Sequence, residues 1–300
     1  MSGPCPAAGE SAKERNRQNM TSEPEDYLAT YRRDGFAVVR GVFSAAEVAE
    51  IAEAFDAVRT AGLRFARSFR DRNLLYRLSV DANLGKTLRM VQWPAYANAV
   101  LDRYRLDRRM YDIVEPLAGP DLKQIINQMH WKPPGAAQNS FGFHQDIWFR
   151  RPRAAYRNPA ASYVQTGIAV DPHRTANGAM VFCRASHGRG ELSLDGDGRV
   201  MERDMSAEDL LRFGIAQDDT APMELEPGDV ALWNLYTVHG SGPNLSGIDR
   251  RIYLNGYVAA ADCDRGEWAF RDGVPCPLTG EPALVHYEDL HTDPGPRYVD

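Results

Sequence analysis

A succession of short strand-like runs, separated by turn residues, occupies the chain from about residue 121 onward and constrains the fold most. The runs are rich in β-branched and aromatic residues, as in LKQIINQMHW, YVQTGIAVDP and RRIYLNGYVA. Turn segments such as KPPG, TANG and EPGD interrupt them. Helical patterns precede the strands instead of alternating with them, which argues against a parallel sheet. We therefore predict a mainly β protein, a double-sheet jelly roll with N-terminal α-helices packed outside the barrel.

The N-terminal part predicts two helices with a strand between them. A short helix in EDYLATYRRDG is closed by Gly35, and a longer one follows the capping box of Ser44 and Glu47. The segment FAVVRGVF between them is a predicted strand. A further long helix is predicted for YRLDRRMYDIVEPLAG, ended by Gly119. Residues 65–100 have no clear pattern.

Composition excludes several classes of protein. The chain has 300 residues, is 43% hydrophobic and 25% charged, and can bury one large core. Its net charge of −6 argues against nucleic-acid binding, and no apolar run approaches the roughly 18 residues that span a bilayer. We therefore expect a small-molecule partner, no membrane and no nucleic acid, and leave the oligomeric state open.

The ends of the chain and its cysteines complete the organisation. Residues 1–24 mix Gly, Pro, Ser and charge without an aliphatic pattern, so we expect a disordered N-terminal tail followed by a single domain over 25–300. The same stretch lacks the apolar core of a signal peptide. The four cysteines form no CxxC pair, which favours free thiols and a cytoplasmic location.

The segment FHQDIWF holds the first candidates for chemistry. In a strand, residues two apart point to the same face, so His144 and Asp146 would project together into the barrel. His239, in LYTVHGSGPN, is a candidate third ligand from another strand. Two histidines and one carboxylate form the facial triad of non-haem Fe(II) oxygenases, which leaves positions open for a 2-oxo acid and O2. Zinc hydrolases use similar ligands, so the triad alone leaves the metal open.

A cation near the triad narrows the choice of cosubstrate. A 2-oxoglutarate enzyme needs a fixed positive charge for the distal carboxylate, and arginine offers a bidentate fork. Arg250 opens the strand RRIYLNGY shortly after His239, and Ser241 can donate a hydroxyl to the same carboxylate. Arg251 has the opposite strand parity and is expected to point away from the cavity.

Several ordered motifs resemble those of the phytanoyl-CoA dioxygenase family of Fe(II)/2-oxoglutarate-dependent oxygenases. The motifs cover most of the chain after the tail and include YRRDGFAVVRGVF, NQMHWKPPG, FHQDIWF, GIAVDPHRTANGAM, PGDVALWN and HGSGPN. The resemblance implies a cupin-like double-stranded β-helix. It also implies that His144, Asp146 and His239 bind iron. Arg250, Ser241 and Gln128 match cosubstrate contacts of the family.

The activity that this resemblance implies is hydroxylation of a small organic substrate. O2 and 2-oxoglutarate are consumed, and succinate and CO2 are released. Asp146 favours hydroxylation over halogenation, because related halogenases have a small residue there. Desaturation, ring closure and epimerisation stay open. Gly167 departs from the family, since many relatives have a bulky aromatic residue just before the IAVD-like run.

The substrate is expected to be anionic. The segment FRRPRAAYR places four arginines just beyond the iron ligands, at the expected cavity mouth. If strand parity continues from His144, Trp148 and Arg150 face the cavity, and His130 is a third candidate substrate contact. The alternative is a solvated loop whose arginines serve no ligand.

Two other functions stay open at this point. One is a cupin-type metal-dependent hydrolase or isomerase that uses the same triad without a 2-oxo acid. The other is a non-catalytic ligand-binding protein on the same fold. Trp233 and His187 are interpreted as structural residues, and Asp229 as a turn residue that positions the strand leading to His239.

Overall fold

The computed structural model describes residues 26–136, 140–194, 204–281 and 295–299. The predicted tail over residues 1–24 lies outside these residues, and the single domain over 25–300 stays a prediction. Among the described residues, no helix is both long and apolar enough to cross a membrane.

Six α-helices and fifteen β-strands make up the described part of the chain. The helices are α1 (Tyr27–Asp34), α2 (Ala45–Gly62), α3 (Ala99–Arg105), α4 (Arg108–Ala118), α5 (Pro159–Ser162) and α6 (Ala207–Arg212). The strands are β1 (Phe36–Val39), β2 (Phe69–Asp71), β3 (Leu74–Asp81), β4 (Gly85–Gln92), β5 (Leu122–Lys132), β6 (Phe141–His144), β7 (Tyr163–Ala169), β8 (Met180–Cys183), β9 (Thr220–Pro222), β10 (Val230–Asn234), β11 (His239–Ser241), β12 (Arg250–Ala259), β13 (Glu267–Arg271), β14 (Val274–Pro275) and β15 (Arg297–Tyr298).

The strands form two antiparallel sheets. The larger sheet has the order β1-β10-β7-β12-β5-β4-β3-β2-β15, with β13 and β14 added beside β5. The smaller sheet has the order β6-β11-β8-β9. The prediction of a mainly β jelly roll with helices outside it is thus confirmed.

Alternation along β12 separates the inner face of the large sheet from its outer face. Tyr253 points outward and packs edge-on against Phe55 of α2, with ring centroids 6.2 Å apart. Ile252 points inward and belongs to a cluster with Phe182 of the small sheet and Trp233 of β10. Residues of β12 that share the direction of Ile252 therefore line the space between the sheets. Those that share the direction of Tyr253 are covered by the helices.

The N-terminal helices begin and end close to where their sequence signals predict. Asp26 and Gly35 cap α1, and the predicted capping box of Ser44 and Glu47 is present at the start of α2. The single long helix predicted for residues 104–119 is wrong. The chain breaks there, because Asp107 accepts a hydrogen bond from the Arg109 amide and starts α4 as a new helix. Residues 65–100, which had no clear pattern, form β2, β3 and β4.

The EPGD turn before β10 fastens the N-terminal region to the barrel. Asp229 accepts hydrogen bonds from the Gly41 amide at 2.8 Å, from Arg40 at 2.6 Å and from the Glu226 amide at 2.8 Å. Gly228 has a φ of +91°, and its carbonyl accepts a hydrogen bond from the Phe43 amide. Asp229 therefore positions this strand as predicted, through contacts distant in sequence.

We predict that Gly228→Ala destabilises the protein far more than Gly119→Ala. Both glycines have positive φ, but a Cβ at Gly228 would lie 2.1 Å from the Phe43 carbonyl oxygen, whereas one at Gly119 meets nothing within 4 Å. We expect losses on the order of 3 kcal/mol and about 1 kcal/mol in the free energy of unfolding, measured by urea denaturation. Equal losses would contradict the backbone contact at Gly228.

Candidate metal centre and cosubstrate pocket

Pairing of two short strands brings the predicted histidine ligands together. β6 lies antiparallel to β11, with His144 directly opposite His239 and ring centroids 4.4 Å apart. The Oδ1 atom of Asp146 lies 3.8 Å from Nε2 of His144, and its Oδ2 atom lies 4.0 Å from Nε2 of His239. One ligand atom from each residue lies within 4.8 Å of the other two. Three side chains separated by up to 95 residues thus form one compact donor set.

The expected continuation of the strand through Asp146 is wrong. β6 ends at His144, and residues Asp146–Phe149 form a 3-10 helix. The ladder ends there because the partner strand β11 is only three residues long. The buried Gln145 amide stabilises the turn by donating to the Tyr236 and Gly190 carbonyls and accepting from the Leu192 amide. The turn, and not strand parity, brings the Asp146 carboxylate to the histidines.

Hydrogen bonds orient all three ligands. The Nδ1 atoms of His144 and His239 donate to the Gly142 and Thr237 carbonyls, at 2.8 Å and 3.0 Å. A carbonyl only accepts, so each Nε2 atom keeps its lone pair for a metal. The indole N–H of Trp233 donates to Oδ2 of Asp146 at 2.9 Å.

The protonation states of the site also suit a cation. Burial, with the neighbouring His144, lowers the pKa of His239 to about 4, so its ring is neutral at pH 7. Burial alone would raise the pKa of Asp146, but His239, Arg150 and His144 outweigh it and the pKa falls below its ordinary value. Two imidazole nitrogens and one carboxylate are the donors that a divalent first-row metal such as Fe(II) accepts, so these residues fit the expected ion.

A pair of buried cations lies near the triad. Lys132 of β5 and Arg250 of β12 are direct cross-strand partners and are 1% and 2% exposed. The Lys132 ammonium donates to Ser241 Oγ at 2.7 Å and to the Gly242 carbonyl at 2.6 Å. Arg250 donates to the Gly178 carbonyl at 3.0 Å, and its Nε atom has no hydrogen-bond partner among the described residues.

No carboxylate of the described residues forms an ion pair with Lys132 or Arg250. Burial, with the nearby Arg250 and Arg89, lowers the pKa of Lys132 to about 6, and burial lowers that of Arg250 to about 10. Like charges directly opposite each other destabilise a sheet, so the pair is costly without an anion. Such a pair is suited to an anionic carboxylate group.

One cavity of about 450 Å³ between the sheets contains the triad and reaches Arg250. Its wall includes all the predicted site residues, namely Gln128, His130, His144, Asp146, Trp148, Arg150, His239, Ser241 and Arg250. Gln128 Oε1 lies 2.9 Å from His130 Nε2. Burial, with Arg250 and other cations, lowers the pKa of His130 to about 3, so this imidazole is neutral and donates to the amide oxygen.

Known proteins show similarity to this chain over most of its length. The profile of the phytanoyl-CoA dioxygenase (PhyH) family matches residues 31–252. The chain belongs to the phytanoyl-CoA dioxygenase family. This membership confirms the expectation of an oxygenase that uses Fe(II), O2 and 2-oxoglutarate.

Individual relatives agree with this assignment. A probable alpha-ketoglutarate-dependent hypophosphite dioxygenase of Stutzerimonas stutzeri is 29% identical over 235 residues, 77% of each chain. Methylphosphonate hydroxylase of Gimesia maris is 30% identical over 161 residues, 54% of this chain and 55% of that protein. Among solved structures, EctD from S. alaskensis with bound Fe matches at a TM-score of 0.61 and 20% identity, covering 87% of this chain and 89% of that one, which confirms the fold.

The departure from the family at Gly167 has a structural basis in this dioxygenase. A Cβ atom at Gly167 would lie 2.6 Å from Cδ1 of Ile252 and 3.0 Å from Cδ2 of Leu254. Both of these side chains line the cavity. The aliphatic side chains of β12 therefore fill the place beside Gly167 and form the wall there.

The expected arginine rim of the dioxygenase is wrong in part. Arg153 pairs with Glu191, and Arg157 pairs with Asp264 at 2.8 Å, so these two are engaged at the surface. Arg150 was expected at the mouth, but it is 4% exposed and lies inside, beside the metal centre. The 3-10 turn after His144 redirects this segment inward.

Sequence reasoning missed the roles of two residues. Lys132 served only as a landmark of the KPP segment, and Trp233 was interpreted as packing, whereas it hydrogen-bonds Asp146. The available signal for Lys132 was its strand parity, which it shares with Gln128 and His130 of the cavity wall. No sequence signal indicated the role of Trp233, because its contact with Asp146 depends on how the two sheets face each other.

We predict that 2-oxoglutarate binding takes up a proton at pH 7.5 and that Lys132→Met abolishes this uptake. With a pKa of about 6, Lys132 is mostly neutral before binding, and an adjacent carboxylate raises its pKa. Affinity should therefore rise as pH falls from 8 towards 6. Calorimetry in two buffers of different ionisation enthalpy measures the uptake. Lys123→Met, on the same strand but outside the cavity, is the control, and uptake that persists in Lys132→Met would refute the assignment.

Proposed function

We propose that this dioxygenase hydroxylates a small anionic organic substrate, with His144, Asp146 and His239 holding Fe(II). Arg250, Ser241 and Lys132 bind the distal carboxylate of 2-oxoglutarate, and Gln128 contacts the same cosubstrate. The observation that carries this proposal is the convergence of the donor set, Arg250 and Ser241 on one cavity, with Lys132 hydrogen-bonded to Ser241. A triad without the cations would suit many metal reactions, and the cations without the triad would suit only anion binding.

The names of the relatives support an anionic substrate. Hypophosphite and methylphosphonate are both small oxyanions, and a third relative, 27% identical over 167 residues, is a 2-aminoethylphosphonate dioxygenase from an uncultured bacterium. We extend to this chain only what these three share, which is a small substrate with a negatively charged group.

The residues of the cavity act by binding, orientation and exclusion of water. Bound Fe(II), with O2 and 2-oxoglutarate, supplies the oxidation that replaces a C–H bond with C–OH. The backbone carbonyls of Gly142 and Thr237 hold the imidazoles in one tautomer, and Trp233 holds the carboxylate. The buried cations fix one end of the cosubstrate, so its 2-oxo acid end is presented to the metal in a single orientation.

The two alternative functions are less well supported. A hydrolase or isomerase with this triad has no use for two buried cations that lack a carboxylate partner among the described residues. A binding protein without catalysis does not need histidines whose second nitrogens are fixed by hydrogen bonds. Anaerobic addition of Fe(II) and 2-oxoglutarate tests all three, because only the oxygenase is expected to give a weak visible absorption band.

We predict that His144→Ala and His239→Ala each abolish retention of Fe(II), because two remaining ligands hold the ion poorly. Iron content after anaerobic gel filtration is the measurement. His130→Gln is the matched control, since His130 lines the same cavity but lies outside the donor set. Near-wild-type iron in both alanine variants would refute the triad.

We predict that Arg250→Ala weakens 2-oxoglutarate binding about 30- to 1000-fold, because a charge-assisted bidentate contact is lost. Iron retention should be unchanged. Arg251→Ala is the control, because Arg251 lies on the outer face and pairs with Asp171 at 2.8 Å. If the Arg251 variant loses cosubstrate and the Arg250 variant does not, the assignment of the anchor is wrong.

A further inference from the structure

We propose that Arg150 binds the anionic head of the substrate, and that this substrate is a monocarboxylate with an apolar body. The inference rests on the proposed function and specifies its substrate class. It separates this chain from relatives named for hypophosphite and phosphonates.

Arg150 is a buried cation without an ion-pair partner among the described residues. It is 4% exposed, and no carboxylate of the described residues lies within ion-pair distance of its guanidinium group. Its Nε atom has no hydrogen-bond partner in the described part of the chain. The guanidinium group lies over the Tyr163 ring, 5.2 Å from its centroid, and hydrogen-bonds the Tyr163 hydroxyl. The Asp146 carboxylate acts on this charge but forms no ion pair with it, and the hydrogen bond to Tyr163 is to a neutral group. The buried guanidinium group therefore has room for a directly bound anion.

The position of Arg150 places this anion beside the metal centre. Arg150 lies four residues after Asp146, and its charge acts on that carboxylate. The Asp146 oxygens face the two histidines and the Trp233 N–H, so this carboxylate is engaged elsewhere. A substrate anion is therefore the remaining partner, and it is distinct from the cosubstrate carboxylate at Arg250.

The expected charge of the substrate's anionic group follows from the number of buried cations that it can contact. Tyr163 is fully buried, burial raises its pKa, and its neutral hydroxyl donates to Gln165 Oε1 at 3.3 Å. Arg150 thus brings one buried positive charge to this part of the cavity, whereas the charge of Arg151 is exposed and screened by solvent. One negative charge compensates it, as a carboxylate supplies, whereas a phosphonate dianion would retain an uncompensated charge in a buried site.

The apolar body follows from the rest of the cavity wall. Apolar side chains of the cavity that Arg150 lines include Met90, Ile125, Ile126, Trp148 and Phe149. Trp148 presents only its ring, because its N–H donates to the Leu192 carbonyl at 2.9 Å. A volume of about 450 Å³ lies in the range of sites for ligands much larger than hypophosphite. A substrate with few heavy atoms would leave these walls in contact with water, and an apolar chain or ring would displace it.

A ligand series on the unaltered protein tests the inference. Linear carboxylates from butanoate to decanoate are compared with their primary amides, with methylphosphonate and with hypophosphite. Binding is followed by the fluorescence of Trp148 and Trp233, which line the cavity, in anaerobic protein with 2-oxoglutarate, with and without Fe(II). Succinate formation is measured in parallel in air.

We expect carboxylate affinity to rise about fourfold with each methylene until the chain fills the cavity. The amides should bind about 10- to 100-fold more weakly than the matching acids. The inference is overturned if amides bind as well as acids, or if methylphosphonate or hypophosphite binds more tightly than every carboxylate.

Two variants assign the effect to Arg150. Arg150→Met keeps an unbranched apolar side chain and should lower carboxylate affinity to that of the amides, without changing amide affinity. A purely structural role would lower both affinities together. Arg151→Met is the matched control, because Arg151 is exposed at the same cavity and should change affinity by less than about twofold.

Failure of the proposed function gives a different result from failure of this inference. If the unaltered protein binds neither Fe(II) nor 2-oxoglutarate, the oxygenase assignment is refuted. Intact binding of both, with equal affinity for acids and amides, would refute only the role of Arg150. If Arg150→Met does not fold, the ligand series on the unaltered protein decides the question alone.

Discussion

Buried basic side chains without ion-pair partners among the described residues are the constraint on which this site depends. Lys132, Arg250 and Arg150 are buried, and no carboxylate of the described residues forms an ion pair with them. Desolvation of each cation is unfavourable, and the low pKa of Lys132 is the direct consequence. A protein keeps such charges only where packing elsewhere offsets their cost and a ligand later neutralises them. We therefore propose two anion sites in the cavity of the metal centre, one at Arg250 and one at Arg150.

Packing on the outer face of the large sheet supplies the rigid frame for these charges. The outward residues of β12, such as Tyr253, are buried under α2, and the Tyr253 hydroxyl donates to the Leu101 carbonyl at 2.8 Å. β12 is hydrogen-bonded on both sides, by β5 and β7, so its inward residues cannot shift along the strand without breaking two ladders. Arg250 is held beside Lys132 by this register, despite the repulsion between them.

The side chains of the metal centre are held in position in a different way, because they come from short, irregular elements. β6 and β11 have only four and three residues, too few for a ladder to fix three side chains. Hydrogen bonds from the two histidines to backbone carbonyls, and from the Trp233 indole to Asp146, supply the missing constraint. The turn held by Gln145 has a second effect, since it carries Arg150 inward. The geometry of the iron ligands and that of the proposed substrate contact are thus set by one turn.

The sequence by itself determined the fold class and named the candidate metal ligands and the candidate anchor, because these depend on strand-like runs, turn residues and ordered motifs. His144, Asp146 and His239 were identified from their spacing, and Arg250 was distinguished from Arg251 by strand parity. The tertiary structure decided what each charge faces. Lys132 is opposite Arg250 only because β5 pairs with β12, more than a hundred residues later in the chain. Strand parity predicted that Arg150 faces the cavity, and it does so through the 3-10 turn after His144 and not through a continued strand. Burial and charge compensation depend on which distant segments meet, and no local pattern records that.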